Sequence, residues 1–351
     1  MSSIVFFDPV CPAPYDSRTL ASRAMAGTEA SVTRIADSLG AWVQQHNRTQ
    51  ACGRYQPPRA LPGVEQVVLI REPRALPAVR ALYPRARLHL WLHDKMRPRT
   101  KRGRRLRSMA GALTDMGGTL ICVSETHRRD VRATLQWVGV PQLDTRVLYN
   151  PVDDALRPDG TAVDPDRLVF FSSPNKGLAF ALDAFAALRR ALPGLTLLVG
   201  NPGYKRGRGT ARAGVQYLGP QPPGHIHAEV RRALATFHPN FIIPETFGLV
   251  YAESHALGTP VLTHDFGAAL EVVGDPRQVL PVTAAQRAYE RMAALLPWRG
   301  LLAPVADRAG VFDAYIERIR CWRAGDRPRV APDPRFALSR IAGQWRELLG
   351  Q

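Results

Sequence analysis

Short, unbroken apolar runs alternate with helix-length segments along most of the chain, and this alternation constrains the fold more than any other feature. IVFF (4–7), VVLI (67–70), LHLWL (88–92), LICVS (120–124) and RVLYN (146–150) read as strands of a first half. LVFFSS (168–173), TLLVG (196–200), VQYLG (215–219) and VLTHD (261–265) read as strands of a second. A strand apolar along its whole length must be covered on both faces, so these runs predict parallel sheets layered between helices. One helix is expected over 29–39, where Val32, Ile35, Ala36 and Leu39 follow the i, i+3, i+4, i+7 spacing and Gly40 suits the position after the cap. Another is expected over 179–192, with Ala181, Phe185, Leu188 and Leu192 on one face. The stretch 151–166 is rich in Pro, Asp and Gly, has no periodicity, and reads as a linker. A second break at 324–336 precedes a terminal helical segment, LSRIAGQWRELL. At 351 residues the chain is long enough for two cores. In open sheets of this kind ligands sit beyond the carboxyl ends of the strands.

Composition narrows the function classes. No run approaches the ~18–20 apolar residues of a membrane span, and the N-terminal MSSIVFFDPVCPAP lacks the basic and apolar regions of a signal peptide and reads as a first buried strand. Cys11, Cys52, Cys122 and Cys321 are scattered with no CxxC pair, so neither a zinc site nor a disulfide framework is indicated, and a reducing cytoplasm is the expected location. The net charge is +17, and only four of the 47 basic residues are lysines. A field this positive favours an anionic partner: nucleic acid, an anionic membrane surface or a phosphorylated glycolipid. The densest run, KMRPRTKRGRRLR (95–107), holds eight cations: Lys95, Arg97, Arg99, Lys101, Arg102, Arg104, Arg105 and Arg107.

Residues 241–266, FIIPETFGLVYAESHALGTPVLTHDF, carry the chemistry. A strand-like run ends at Pro244, Glu245 follows, Thr246-Phe247-Gly248 turns into an apolar helix bearing Glu253, and Gly258-Thr259-Pro260 stops that helix before the next strand. A helix N-terminus offers unpaired N–H groups and a positive dipole end that suit a phosphate. A carboxylate beside it accepts hydrogen bonds from sugar hydroxyls. Together they describe a nucleotide-sugar site. The ordered Glu–x7–Glu pattern within PETFGLVYAESHALGTPV resembles the donor-site motif of retaining GT-B glycosyltransferases, family 4 in particular.

That resemblance implies two Rossmann-like domains facing across a cleft: an acceptor domain over 1–158, a nucleotide-sugar domain over 159–325, and a segment 326–351 that crosses back so that its helix packs on the first. It implies that Glu245 positions the donor sugar, that Glu253 binds the ribose hydroxyls, and that the amides of Thr246, Phe247, Gly248 and Leu249 lie by the sugar and diphosphate. SSPNKGLAFALDAF (172–185) resembles the family's lysine–glycine segment. Lys176, beside Gly177, would then stabilise charge on the departing diphosphate. The family usually adds an arginine just before this segment; Ser172 and Ser173 stand there, with Arg206 and Arg208 as substitutes. MAGTEASVTRIADSL (25–39) is similar to the glycine-rich first loop, with Gly27 retained and Ala26 replacing a second glycine. His93 ends a strand where family members place a histidine facing the donor sugar. ICVSETHRRDVRATL followed by VLYNPVDD resembles the segment that closes the first domain.

No acidic metal-binding motif accompanies these residues, so neither a metal nor another cofactor is expected; the nucleotide-sugar, a UDP-sugar foremost, is a substrate. The implied reaction is transfer to a glycan or lipid-linked acceptor in polysaccharide or lipopolysaccharide synthesis. The basic run 95–107 would then meet acceptor phosphates or an anionic membrane at the inner face of the cytoplasmic membrane, at roughly 1 kcal/mol per cation. Two other readings stand beside this one. The charge alone fits a nucleic-acid-binding protein, although the chain carries no zinc spacing, aromatic RNA-binding pattern or compact helix-turn-helix signal, and no nucleic-acid partner is expected. The departures at Ala26 and Ser172–Ser173 fit a non-catalytic homologue.

Overall fold

The structure, a computed structural model, describes residues 2–201, 211–240, 243–282 and 308–351. Two compact units emerge: residues 1–20, 27–153 and 335–351 form the first, and residues 21–26 and 154–334 the second.

The first unit is a seven-stranded sheet. Its strands are β1 (Ile4–Asp8), β2 (Trp42–Gln45), β3 (Tyr55–Gln56), β4 (Gln66–Ile70), β5 (Arg87–Trp91), β6 (Gly117–Cys122) and β7 (Thr145–Val147), in the order β3-β2-β1-β4-β5-β6-β7. Every pairing is parallel. The helices among its described residues are α1 (Ser17–Ser22), α2 (Gly27–Leu39), α3 (Leu76–Leu82), α4 (Lys101–Arg107), α5 (Ala110–Thr114) and α6 (Glu125–Val138). The apolar runs are its core: Val5, Val67, Leu69, Leu90 and Leu120 are buried against Leu76, Val79, Leu106 and Val131. Helix ends follow local chemistry. The Ser124 side chain accepts the His127 amide at the start of α6, and Gly139 closes that helix in the left-handed region at φ 89°.

Among its described residues the second unit is a six-stranded parallel sheet: β8 (Asp164–Phe171), β9 (Thr196–Gly200), β10 (Val215–Gly219), β11 (Ala233–Phe237), β12 (Val261–His264) and β13 (Val279–Leu280), in the order β10-β9-β8-β11-β12-β13. Helices α7 (Leu178–Ala191), α8 (Pro223–Arg232), α9 (Leu249–Ala256) and α10 (Ala269–Val273) connect its strands, and a further helix covers Arg308–Cys321. Phe170, Phe185, Phe237 and Tyr315 lie in one core cluster. Chain order reverses between β8 and β11, the switch point at which open α/β sheets take their ligands.

The C-terminal helix Leu338–Leu349 belongs to the first unit. Val152 donates to Phe336 O at 2.8 Å and Leu338 donates to Val152 O at 2.9 Å. Buried Trp345 then sits on Phe6 and Trp91, at ring separations of 5.4 and 4.8 Å.

Four strands depart from the sequence reading, and one of them, β13, is only the pair Val279–Leu280. β2 carries buried Gln44 and Gln45, whose amides donate to Arg59 O and Tyr15 O. These polar residues interrupt the apolar pattern but are satisfied by hydrogen bonds. β3 is two residues long. β11 begins at Ala233, directly after α8 ends at Arg232, with no turn residue to mark the change. The strand feeding the Glu245 motif is therefore β11 rather than the run ending at Pro244; Phe241 and Ile242 of that run lie outside the described residues. So do Arg206 and Arg208.

Candidate active site

In the second unit, the β8–α7 turn meets the segment after β11. Gly177 opens α7 at φ 99°, and a Cβ there would lie 3.3 Å from Pro239 O. That close approach seats the turn on Pro239–Asn240. Lys176, one residue earlier, reaches Glu245 with Nζ 2.7 Å from Oε2. Glu245 is buried, and its second oxygen, Oε1, is buried without a hydrogen-bond partner among the described residues. An ammonium and a carboxylate in such contact, with one carboxylate oxygen unused, form a charged pair ready to take further donors and acceptors.

The backbone of Glu245 is fixed as tightly as its side chain. Glu245 and Gly267 form a parallel bridge, and Ala268 donates to Glu245 O at 3.0 Å. Gly267 has φ 71°, and a Cβ on it would lie 2.3 Å from Glu245 O. Sequence reasoning missed this residue; its signal was a glycine following strand β12. Beyond Glu245, Thr246 is half-buried and Phe247 buried, and Gly248 caps α9 at φ 92°, where a Cβ would strike the Tyr251 ring at 2.5 Å. Leu249 begins α9, and Glu253 is half-buried on its second turn.

His238, also missed, directly follows β11. Its ring is buried, stacked on Phe170 at 5.4 Å and 9°, with Tyr251 edge-on. Burial, opposed by Glu245 and aided by Lys176, holds its pKa down at about 4, so the ring is neutral at physiological pH.

In the first unit, a chain of charges crosses the carboxyl ends of the strands. Gly27 is the first residue of α2, and Glu29 lies in that helix's first turn, where the dipole favours an anion. Arg71 follows β4 with φ 65°, unusual for a bulky residue. Its guanidinium lies 3.7 Å from Glu29 and 3.2 Å from Asp94, and Arg102 reaches the same Asp94 oxygen at 2.6 Å. Burial pushes the Glu29 and Asp8 carboxyls up; Arg71 opposes this for Glu29, and a hydrogen bond from the Val10 amide opposes it for Asp8. Burial works against the Arg71 charge, but Asp94 and Glu29 outweigh it and raise its pKa. His93, next to Asp94, is buried with its ring 4.5 Å from Trp91. Burial, then Arg71, drives its pKa well below the ordinary value, so it is a neutral imidazole. His127 fixes the strand end by accepting from Val123 N, which leaves its Nε2–H for Asp94 O at 3.0 Å.

The basic run divides in two. Lys95 and Arg97 pair with Asp130, Arg102 with Asp94, and Arg105 with Glu72 at 2.7 Å. Arg99, Lys101, Arg104 and Arg107 are exposed, with Arg104 donating to Arg99 O and Arg107 over the Trp137 ring at 5.0 Å. Residues 101–107 are helical because Thr100 caps the Gly103 amide and Leu106 is buried. Glu72 also keeps Arg74 at 3.0 Å. Arg105→Ala is therefore expected to cost less than ~1 kcal/mol. Equilibrium unfolding in low and high salt checks this, and the cost should shrink as salt rises. A loss of several kcal/mol would instead mark the pair as an anchor of α4.

Among the described residues no group of three or more His, Cys, Asp or Glu could hold a metal ion. None of their helices is long and apolar enough to cross a membrane.

Comparison with known proteins bears on this geometry. Residues 166–297 match the family model described as "Glycosyl transferases group 1". No curated protein matches the chain significantly. Among solved structures, HepE of Anabaena, crystallised with UDP, is 18% identical over 99% of each chain with a TM-score of 0.65. Sucrose-phosphate synthase of Thermosynechococcus elongatus is 16% identical over 99% of this chain and 98% of that one, with a TM-score of 0.63. AviGT4, a glycosyltransferase involved in avilamycin A biosynthesis, is 19% identical over 99% and 98%, with a TM-score of 0.54. The two parallel-sheet units are the Rossmann-like domains of the GT-B fold, and residues 166–297 are similar to the glycosyltransferase group 1 family.

Proposed function

We propose that this chain is a retaining glycosyltransferase of the family 4 type. It transfers a sugar from a nucleotide-sugar, a UDP-sugar foremost, to a glycan or lipid-linked acceptor in cell-surface polysaccharide or lipopolysaccharide synthesis. The observation that carries the reading is the Lys176–Glu245 pair beside the β8–β11 switch point, inside the matched domain. The UDP and UDP-glucose found with HepE, a protein of the same fold, support the choice of donor.

The roles follow from charge and reach. Glu245, whose Oε1 has no hydrogen-bond partner among the described residues, accepts hydrogen bonds from donor-sugar hydroxyls. Lys176 offsets the negative charge that develops on the diphosphate as the bond from the anomeric carbon to the phosphate oxygen breaks. The acceptor oxygen bonds the same face of that carbon, and its proton passes to the departing phosphate oxygen, so retention needs no separate protein base. Glu253 takes the ribose hydroxyls, and the amides following Glu245 take sugar and phosphate oxygens. The ammonium and the amides supply the positive charge, so the reaction is assigned no metal ion. The first unit is assigned to the acceptor side of the reaction, while its neutral His93 and its Gly27 keep the donor-sugar and donor-phosphate roles that the resemblance implies. Its four exposed cations on and beside α4 suit acceptor phosphates or an anionic inner-membrane surface.

A thermal-shift and calorimetric screen against UDP, GDP, ADP and their sugars, on wild type and Glu253→Ala, tests the reading. One nucleotide at about 100 times its Kd should stabilise the protein by ~2.7 kcal/mol. Glu253→Ala should remove most of that shift. No response to any nucleotide, with tight salt-sensitive nucleic-acid binding instead, would leave the domain match as fold inheritance.

A further inference from the structure

His238 holds a ring nitrogen with no hydrogen-bond partner among the described residues, at the switch point of the second unit. Its backbone is fixed by a 3.0 Å bond from its amide to Leu262 O. Its ring is clamped between Phe170 of β8 and Tyr251 of α9. The Thr263 hydroxyl donates to Tyr251 Oη at 3.3 Å, and Tyr251 Oη lies 3.4 Å from His238 Nδ1. This relay directs the tyrosine proton to Nδ1 and so assigns the imidazole proton to Nε2. Nε2 is buried and has no hydrogen-bond partner among the described residues. A buried N–H left unsatisfied is costly, so its retention calls for a partner that arrives from outside.

The surroundings indicate what that partner is. His238 lies within electrostatic reach of both Lys176 and Glu245, and the Lys176–Gly177 turn rests on Pro239–Asn240 directly after it. The Lys176 ammonium is already shared with Glu245. A further donor that carries no charge of its own strengthens the hold on an anion without repelling the lysine or adding a second buried cation.

We propose that His238 is a donor-binding residue whose Nε2–H hydrogen-bonds a phosphate oxygen of the nucleoside diphosphate. This rests on the nucleotide-sugar reading above. Neutral imidazole and ammonium then act on the same diphosphate, one by direction and the other by charge.

Calorimetry with uridine, UDP, pyrophosphate and UDP-glucose separates the alternatives. His238→Leu should weaken UDP and pyrophosphate roughly tenfold, as loss of a hydrogen bond to a charged group does, with uridine unchanged. His238→Gln retains an N–H and should recover most of the affinity. Tyr251→Phe, which removes only the hydroxyl that sets the tautomer, should weaken UDP by about threefold with uridine again unchanged. UDP affinity in His238→Leu equal to wild type would overturn the assignment. So would a parallel loss for UDP and uridine, which marks a packing effect, or a loss confined to UDP-glucose, which moves the contact to the sugar. If His238→Leu prevents folding, His238→Gln and Tyr251→Phe decide by the same comparison. Wild type that binds no nucleoside diphosphate removes the nucleotide-sugar reading and this inference with it.

Discussion

Gly267→Ala is expected to lower the unfolding midpoint of the second unit by about 5–10 °C and to weaken the site that Glu245 forms. Two costs add. An L-residue at φ 71° pays about 1–2 kcal/mol for the left-handed backbone. The new methyl would also stand 2.3 Å from Glu245 O and 2.8 Å from Glu245 N, main-chain atoms that cannot swing aside. Overpacking of this kind costs about 1–3 kcal/mol more. Gly274→Ala is the internal control. Its φ is 72°, but nothing lies within 4 Å of its would-be Cβ, so it should pay the backbone cost alone. Thermal unfolding of both variants, with nucleotide binding measured alongside, separates the contact from the dihedral. Equal destabilisation in the two would show that Glu245 yields to the methyl and that its backbone is not held by this bridge.

Gly267 also shows where the sequence stops being informative. The Glu245–Glu253 spacing, the helix start at Leu249 and its stop at Gly258 were legible because each is a local signal: a turn residue, a period, a breaker. The contact between Glu245 and a loop 22 positions later is not local, and the glycine that permits it looks like any glycine after a strand. His238 was hidden for a related reason. A lone histidine gains meaning only from Phe170, Tyr251 and Thr263, which arrive from three other elements. Apolar strands such as Val67–Ile70 were legible because burial on both faces leaves a mark on every residue. β2 was not, because its buried glutamines satisfy themselves with carbonyls far along the chain.

The basic run makes the same point with charge. Eight cations in thirteen residues read as one patch. The fold uses four of them to hold its own carboxylates and leaves four exposed. Which four was set by Asp94, Asp130 and Glu72, whose positions depend on the ends of β4 and β5 and on the register of α6. Attraction to an anionic surface would thus rest on these four exposed cations rather than on all eight.

The largest functional effect is expected at Lys176 and Glu245, and the pair can be dissected by a double-mutant cycle. Lys176→Met removes the ammonium 2.7 Å from a buried carboxylate. Breaking a buried pair from one side costs about 3–5 kcal/mol, but the Lys176 side chain is 31% exposed, so water compensates part of it and about 1–2 kcal/mol is expected. Glu245→Gln leaves the ammonium, which reaches solvent, and should cost less. In the double variant both charges are gone, no buried charge is left uncompensated, and stability should return towards wild type. Activity should behave differently. Each single variant should lose about 10²–10³ in kcat/KM for nucleotide-sugar consumption, the scale of removing a preorganised electrostatic contact. The double variant should stay at least as low, because its restored stability restores neither the charge on the diphosphate nor the acceptor for the sugar hydroxyls. Thermal unfolding and donor turnover on the four proteins provide both readouts. A double variant that regains turnover along with stability would show that the pair serves the fold alone, and the donor site would then have to be sought elsewhere in the domain.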